Sequence, residues 1–433
     1  MRQEFVAACG VVLLLVAGAG YFYWTTAERA RQAALAAEEQ AAREAEQVAA
    51  ALPQPGPRTP EEYRALVGRA RARGVAFLLQ QQSPDGAWRS DVYGTFKDGT
   101  ALTPLAVCAL QDAADPGAAA AVRKGSEFLA RMVKPDGSID GGEGGLDYPV
   151  YTASLAVVAL SHPDNKDLLT ARDAWLRYLL ERQLTETLGW KPEDKEFGGW
   201  GYCRVIPTRP EPGKFAPPLI ESNLSATVFA LDALKAAGVA DRAVSEKALV
   251  FVRRCQNWEP AATDPRPPSH LDGGFHFIYD DPVRNKAGSV PDATPRPLRF
   301  YSYGSTTADG LRALLLCGEP DAARVAGARE WLRHHFRPDR HPGQYAPQHE
   351  RNRDAVYYYY AASASRALRA AGVKELANTN PWAAPLAAAL LDRQKDDGSW
   401  SNPVELVREN DPIVATCNAV AALANCRAAT PEK

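Results

Sequence analysis

The stretch Gln394-Lys395-Asp396-Asp397-Gly398-Ser399-Trp400 has a near copy far upstream, Gln82-Ser83-Pro84-Asp85-Gly86-Ala87-Trp88, and both read Gln-x-x-Asp-Gly-x-Trp. Each follows an apolar helical run (Val75-Ala76-Phe77-Leu78-Leu79 before the first), and each precedes a second, Ala-rich one. The motif therefore reads as a corner between two helices. Asp-Gly supplies the turn, because Gly tolerates positive φ and Asp can bond its own backbone, and the Trp offers a broad apolar face to close the corner.

Four weaker copies lie between these two: Asp136-Gly137-Ser138-Ile139, Gly198-Gly199-Trp200, Asp272-Gly273-Gly274-Phe275 and Gly343-Gln344-Tyr345. Glycines 86, 137, 198, 273, 343 and 398 are roughly 50 to 75 residues apart, room for two helices and their loops at about 1.5 Å per residue. Six helical hairpins follow.

In these motifs the chain resembles the repeat of the squalene-hopene and oxidosqualene cyclases, whose QW motif ends in Gln-x-x-x-Gly-x-Trp, and of the related protein prenyltransferase β subunits. The resemblance covers roughly residues 61–426. It implies an all-α fold, an α6/α6 toroid in which six inner helices surround a cavity and six outer helices wrap them. An open solenoid of hairpins is the other arrangement, and six units favour closure. Outer helices are expected near 62–82, 119–133, 167–184, 241–257, 321–336 and 382–395. Inner ones are expected near 100–111, 149–161, 220–237, 304–317, 354–371 and 411–425. Two long insertions, 188–218 and 259–299, are rich in Pro, Gly and aromatics and read as packed lids.

The 433 residues are 46% hydrophobic with a net charge of −2, enough to bury a large core and without the basic excess of a nucleic-acid binder. The seven cysteines form no Cys-x-x-Cys, and Cys108, Cys317 and Cys417 lie inside apolar helical runs, where a thiol acts as a small hydrophobe.

Residues 5–24 carry no charge and are long enough to cross a hydrocarbon core, which predicts an N-terminal transmembrane helix. Tyr21-Phe22-Tyr23-Trp24 favours retention at the membrane boundary over cleavage as a signal peptide at Ala17-Gly18-Ala19. Residues 25–60 read as an Ala/Glu-rich helical stalk ending in the linker Pro53-Gln54-Pro55-Gly56-Pro57, and residues 61–427 as the toroid. The expected location is the cell membrane, single-pass, with a monomeric toroid on the extracytoplasmic side.

The cyclases resembled here start their reaction with an Asp-x-Asp-Asp-Thr-Ala segment at the head of an inner helix, where a carboxylic acid gives a proton to an alkene or epoxide. This chain has no such segment. The comparable heads read Ser222-Asn223-Leu224-Ser225-Ala226-Thr227 and Gly304-Ser305-Thr306-Thr307-Ala308-Asp309, leaving Asp309 and Glu221 as the acids near a helix head. The prenyltransferases instead bind zinc through an Asp, a Cys two residues on and a distant His. Here Leu311 replaces the Cys, the last helix has no His, and Asp309 reads as a hairpin hydrogen-bonding residue. No metal or other cofactor is expected. Leu316-Cys317-Gly318-Glu319-Pro320 resembles the thioester segment of complement-like toroids but has Pro320 where a Gln is required.

His276 and Asp280, in a lid, are further titratable candidates, and Tyr151, Tyr301, Tyr303 and Tyr358, from helix heads and the run Tyr357 to Tyr360, are candidates for ligand binding. At 100° per residue, only one or two of that run can face inward. Three functions stay open: a divergent toroid of cyclase or prenyltransferase type binding or processing a polyprenyl lipid, a noncatalytic toroid binding a glycan or protein at the cell surface, and a glycan-active, lyase-like toroid.

Overall fold

The computed structural model describes residues 59–429 except 143–144, 259–270, 291–298, 346 and 378–380. The expected transmembrane segment and the stalk lie outside the described residues, among which no helix is long and apolar enough to cross a membrane. Thirteen α-helices and no strand are present among the described residues. In chain order they are α1 (Pro60–Gln80), α2 (Leu102–Ala113), α3 (Ala119–Arg131), α4 (Pro149–Leu160), α5 (Leu169–Leu180), α6 (Leu224–Ala236) and α7 (Arg242–Arg254). Then come α8 (Gly304–Cys317), α9 (Ala322–His335), α10 (Glu350–Asp354), α11 (Tyr357–Ala370), α12 (Ala383–Leu391) and α13 (Pro412–Ala429).

Local chemistry sets the boundaries. Asn223 begins α6, Asp241 begins α7 and Asp321 begins α9, each side chain accepting a backbone N–H of the first turn. Gly318, at φ 66°, ends α8. The unexpected element is α10. A break at Val356 (φ −124°) separates it from α11, so the inner helix starts at Tyr357.

Six helices form a closed inner ring: α2 packs on α4, α4 on α6, α6 on α8, α8 on α11, α11 on α13, and α13 back on α2. Outside it α1, α3, α5, α7, α9 and α12 wrap the ring, α1 and α12 meeting at the seam against α13. An open solenoid is thereby excluded. The inner helices are apolar on nearly every side because they are covered on nearly every side, and α4 buries all but Tyr151 and Val158.

Four corners share one hydrogen-bond scheme. The amide nitrogens of Gln82, Gln183, Gln256 and Gln394 each donate to their corner glycine's carbonyl, at Gly86, Gly198, Gly273 and Gly398 (2.9 to 3.1 Å). Each also donates to the neighbouring outer helix, at Ala121, Val244, Arg324 and Ala70 (2.8 to 3.1 Å). The backbone N–H of Trp88, Trp200, Phe275 and Trp400 donates to a threonine of the following inner helix, Thr103, Thr227, Thr307 or Thr416. Each glutamine thus stitches one hairpin to the next. At Gly398 (φ +87°) a Cβ would stand 2.6 Å from the Arg73 carbonyl oxygen, so only glycine lets α1 approach across the seam. Two corners differ. Gly137 receives Arg177 in place of a glutamine, and Gly343 forms an isolated antiparallel bridge with Tyr303 at the head of α8.

The 188–218 insertion packs as expected of a lid: Leu184, Trp190, Phe197, Cys203 and Ile220 make a small second core, and the Trp190 indole donates to Pro207. In the described part of the other insertion, Asn285 is buried and bonds the backbone of Phe277, Ile278 and Asp281.

Candidate active site

The ring encloses a cavity of about 590 Å³ lined by the heads and middles of the inner helices and by the loops that cover them. The volume lies within the usual range for ligand pockets, about 300 to 1,000 Å³. Leu102, Leu105, Leu155 and Phe229 give much of the wall an apolar surface, and Tyr151, Tyr202, Tyr303 and Tyr359 add aromatic faces. Tyr151 meets Phe229 edge to face at 5.0 Å.

Asp309, midway along α8, is buried in this wall. Tyr359 donates its hydroxyl to Oδ2 at 2.7 Å, Ser363 donates to Oδ1, and the Arg312 guanidinium lies 3.4 Å from Oδ1. Arg312 is held in turn by Asp232 on α6, and Ser225 hydrogen-bonds the Tyr359 hydroxyl at 2.9 Å. Burial pushes the Asp309 carboxyl up to about 6, against the opposing pull of Arg312, Ser363 and Tyr359. The group therefore changes protonation near neutral pH while donors stand ready for its anion.

Glu409 is the second buried acid. Its carboxyl accepts the N–H groups of Tyr358 (3.0 Å) and Tyr359 (2.7 Å) at the head of α11, plus the Asn402 amide (3.1 Å). Burial raises it to about 7, these hydrogen bonds opposing. His341 does the same work for α8: its Nε2 accepts the Ser305 N–H at 2.8 Å, so Nδ1 carries the proton and faces the Tyr345 hydroxyl at 3.0 Å. Burial drives this imidazole down to about 3, which keeps it neutral.

Backbone strain gathers at the same place. Tyr148 (φ 54°), Leu219 (φ 59°) and Arg408 (φ 68°) are non-glycine residues in left-handed conformation, and all three line the cavity. Such residues cost on the order of 1 to 3 kcal/mol each and persist where surrounding structure holds them.

Of the residues singled out in the sequence, Asp309, Tyr151 and Tyr303 line the cavity. Glu221 does not; it is ion-paired with Arg284 at 2.7 Å. His276 is buried against Phe300, with ring centroids 5.4 Å apart, and Asp280 sits in a lid turn at φ 53°. Neither is among the lining residues, nor are Tyr301 and Tyr358. Tyr359 is the inward member of the tyrosine run, whereas Tyr357 and Tyr360 point back to the carbonyls of Pro338 and Arg337. Sequence reasoning missed Tyr359, Ser363, Glu409 and His341. For the first two a signal existed: Tyr359, Ser363 and Arg366 recur at helical spacing along one face.

The ring has counterparts among solved structures. The fold is that of a type II terpene cyclase. MstE from Scytonema, in complex with geranylgeranyl dihydroxybenzoate as substrate, superposes with a TM-score of 0.53 at 14% identity, over 85% of this chain and 99% of that one. A protein from Actinoplanes gives 0.51 at 15% identity, over 83% and 99%. A glycosidase gives 0.45 at 13% identity, over 87% and 100%, too loose a likeness to argue from. No family model matches the chain, and no curated protein does. At these identities what is shared with the cyclase is the toroid, and the chemistry of the cavity rests on its own residues.

Proposed function

We propose that this toroid binds a polyprenyl lipid chain in its central cavity and that Asp309 protonates it. The observation that carries the reading is one buried carboxyl, poised near neutral pH, set in an apolar and aromatic wall with three donors for its anion. In the step proposed, the Asp309 proton passes to an alkene carbon, whose π pair forms the new C–H bond, and the adjacent carbon becomes cationic. The carboxylate left behind is stabilised by Tyr359, Ser363 and Arg312, and the cation by aromatic faces. Loss of a proton from a neighbouring carbon restores an alkene, so the product is an isomer of the substrate, open or cyclised.

Burying a chain in this wall gains about 0.8 kcal/mol per methylene. MstE's geranylgeranyl-bearing substrate and the apolar run 5–24, as an anchor beside a bilayer where such lipids reside, both fit. A glycan-active reading would pair Asp309 with Glu409, but an apolar wall leaves most sugar hydroxyls without partners.

The test uses purified protein with all-trans-geranylgeraniol. The alcohol should raise the melting temperature and be converted to isomers of equal mass. Asp309→Asn should keep the thermal shift and lose conversion by at least about 100-fold. Stabilisation by an oligosaccharide and none by the polyprenol would replace this reading with the glycan one.

A further inference from the structure

The cavity holds four cations, and they are not alike. Arg312 is ion-paired with Asp232 and Asp309, and Arg366 with Asp112 at 3.0 Å. Lys286 and Arg408 line the same cavity, from the loops over the helix heads, and among the described residues neither has a carboxylate within ion-pairing distance. Lys286 lies over the Phe277 ring at 4.8 Å. Arg408 lies over Tyr93, Phe96 and Tyr148 at 5.0 to 5.5 Å and gives one hydrogen bond to Thr95, leaving most of its five donors unused.

An ammonium turned into an enclosed cavity without a counter-ion is costly. Glu409 makes no ion pair with it; the Glu409 oxygens accept two backbone N–H groups and the Asn402 amide. Burial lowers the Lys286 ammonium from its ordinary range, with the Glu409 and Asp309 carboxyls opposing from beyond ion-pairing distance. Arg408 in addition has a left-handed backbone, at φ 68°.

We infer that Lys286 and Arg408 form a head-group site at the helix-head end of the cavity, and that the lipid bears an anionic head, a carboxylate or a phosphate, with its apolar chain directed into the ring toward Asp309. The inference rests on the lipid-binding reading above and narrows its substrate class. An anion there would complete the charge balance of the two loops, and the planar guanidinium can grip it through paired N–H donors while Lys286 adds a point charge.

Three probes with one chain decide it: geranylgeraniol, geranylgeranoic acid and geranylgeranyl monophosphate, titrated calorimetrically into the wild type, Lys286→Met and Arg408→Gln. At least one anionic probe should bind the wild type about ten- to a hundredfold tighter than the alcohol. Which of the two binds tighter distinguishes a carboxylate from a phosphate site. Lys286→Met should erase most of that preference while keeping alcohol binding, and Arg408→Gln should reduce it. Equal affinity for the alcohol and both anions, or a preference that survives in Lys286→Met, would overturn the head-group site and leave lipid binding standing. Failure of all three probes to bind would instead overturn the lipid reading.

Discussion

Replacing both buried acids, Asp309→Asn with Glu409→Gln, should make the protein gain stability on the wild type as the pH rises. Folding raises Asp309 from 3.8 to about 6 and Glu409 from 4.5 to about 7, burial being the first cause of each. A group whose folded pKa is raised gives stability that is full below its unfolded pKa and is lost as the pH climbs through the folded value. The window is therefore pH 4 to 7. Between pH 5 and 8 the two groups together cost the wild type about 4 kcal/mol relative to the amide variant, at about 1.4 kcal/mol per pH unit per group. His341 runs the other way. Its folded pKa is lowered from 6.5 to about 3, so its contribution is present above 6.5 and is lost as the pH falls. The comparison is consequently the difference between variant and wild type, in which His341 cancels. Urea unfolding at pH 5 and pH 8 reads it, and an unchanged difference would show that the carboxyls titrate as ordinary surface acids.

Trp400→Ala should cost about 3 to 5 kcal/mol, the usual loss for a fully buried indole. The side chain is inaccessible, its Nε1 donates to the Leu390 carbonyl at 2.7 Å, and its ring fills the slot beside Gly74. A Cβ at Gly74 would stand 2.8 Å from that ring. The indole therefore packs where the last hairpin meets α1 and the ring closes. Trp400→Phe should recover much of the loss while leaving the Leu390 carbonyl short of its donor, a penalty of about 1 to 3 kcal/mol. Equilibrium denaturation followed by far-UV dichroism measures both, and a loss below about 1 kcal/mol for the alanine variant would mean that the seam does not hold the ring.

The fold was legible because its repeat is written in backbone chemistry. A glycine at positive φ recurs at all six corners, with an indole behind it at three, so the twelve helices fall close to their expected bounds. The glutamine stitch was visible at two corners only. At the others, insertions separate Gln183 from Gly198 and Gln256 from Gly273, and a fixed-spacing motif cannot span them. The site was legible in part. Asp309 stood out as an acid near an inner-helix head, yet its partners Tyr359 and Ser363 come from a helix about fifty residues away, and only the packing of α8 on α11 brings them together. Glu409, Lys286 and Arg408 lie in irregular loops, where no periodicity says which way a side chain turns. Glu221, near a helix head in sequence, and Asp280, in a lid, do not line the cavity, because position in the sequence does not fix the face on which a loop residue emerges.

The central claim is that Asp309 delivers a proton to carbon. Purified protein is incubated with all-trans-geranylgeraniol in heavy water, where the Asp309 carboxyl exchanges to deuterium, and the recovered lipid is weighed by mass spectrometry. Wild-type protein should yield isomerised lipid carrying carbon-bound deuterium, and Asp309→Asn should bind the lipid and return it unlabelled. Bound lipid recovered unchanged from the wild type, or equal labelling by the Asp309→Asn variant, would contradict the account.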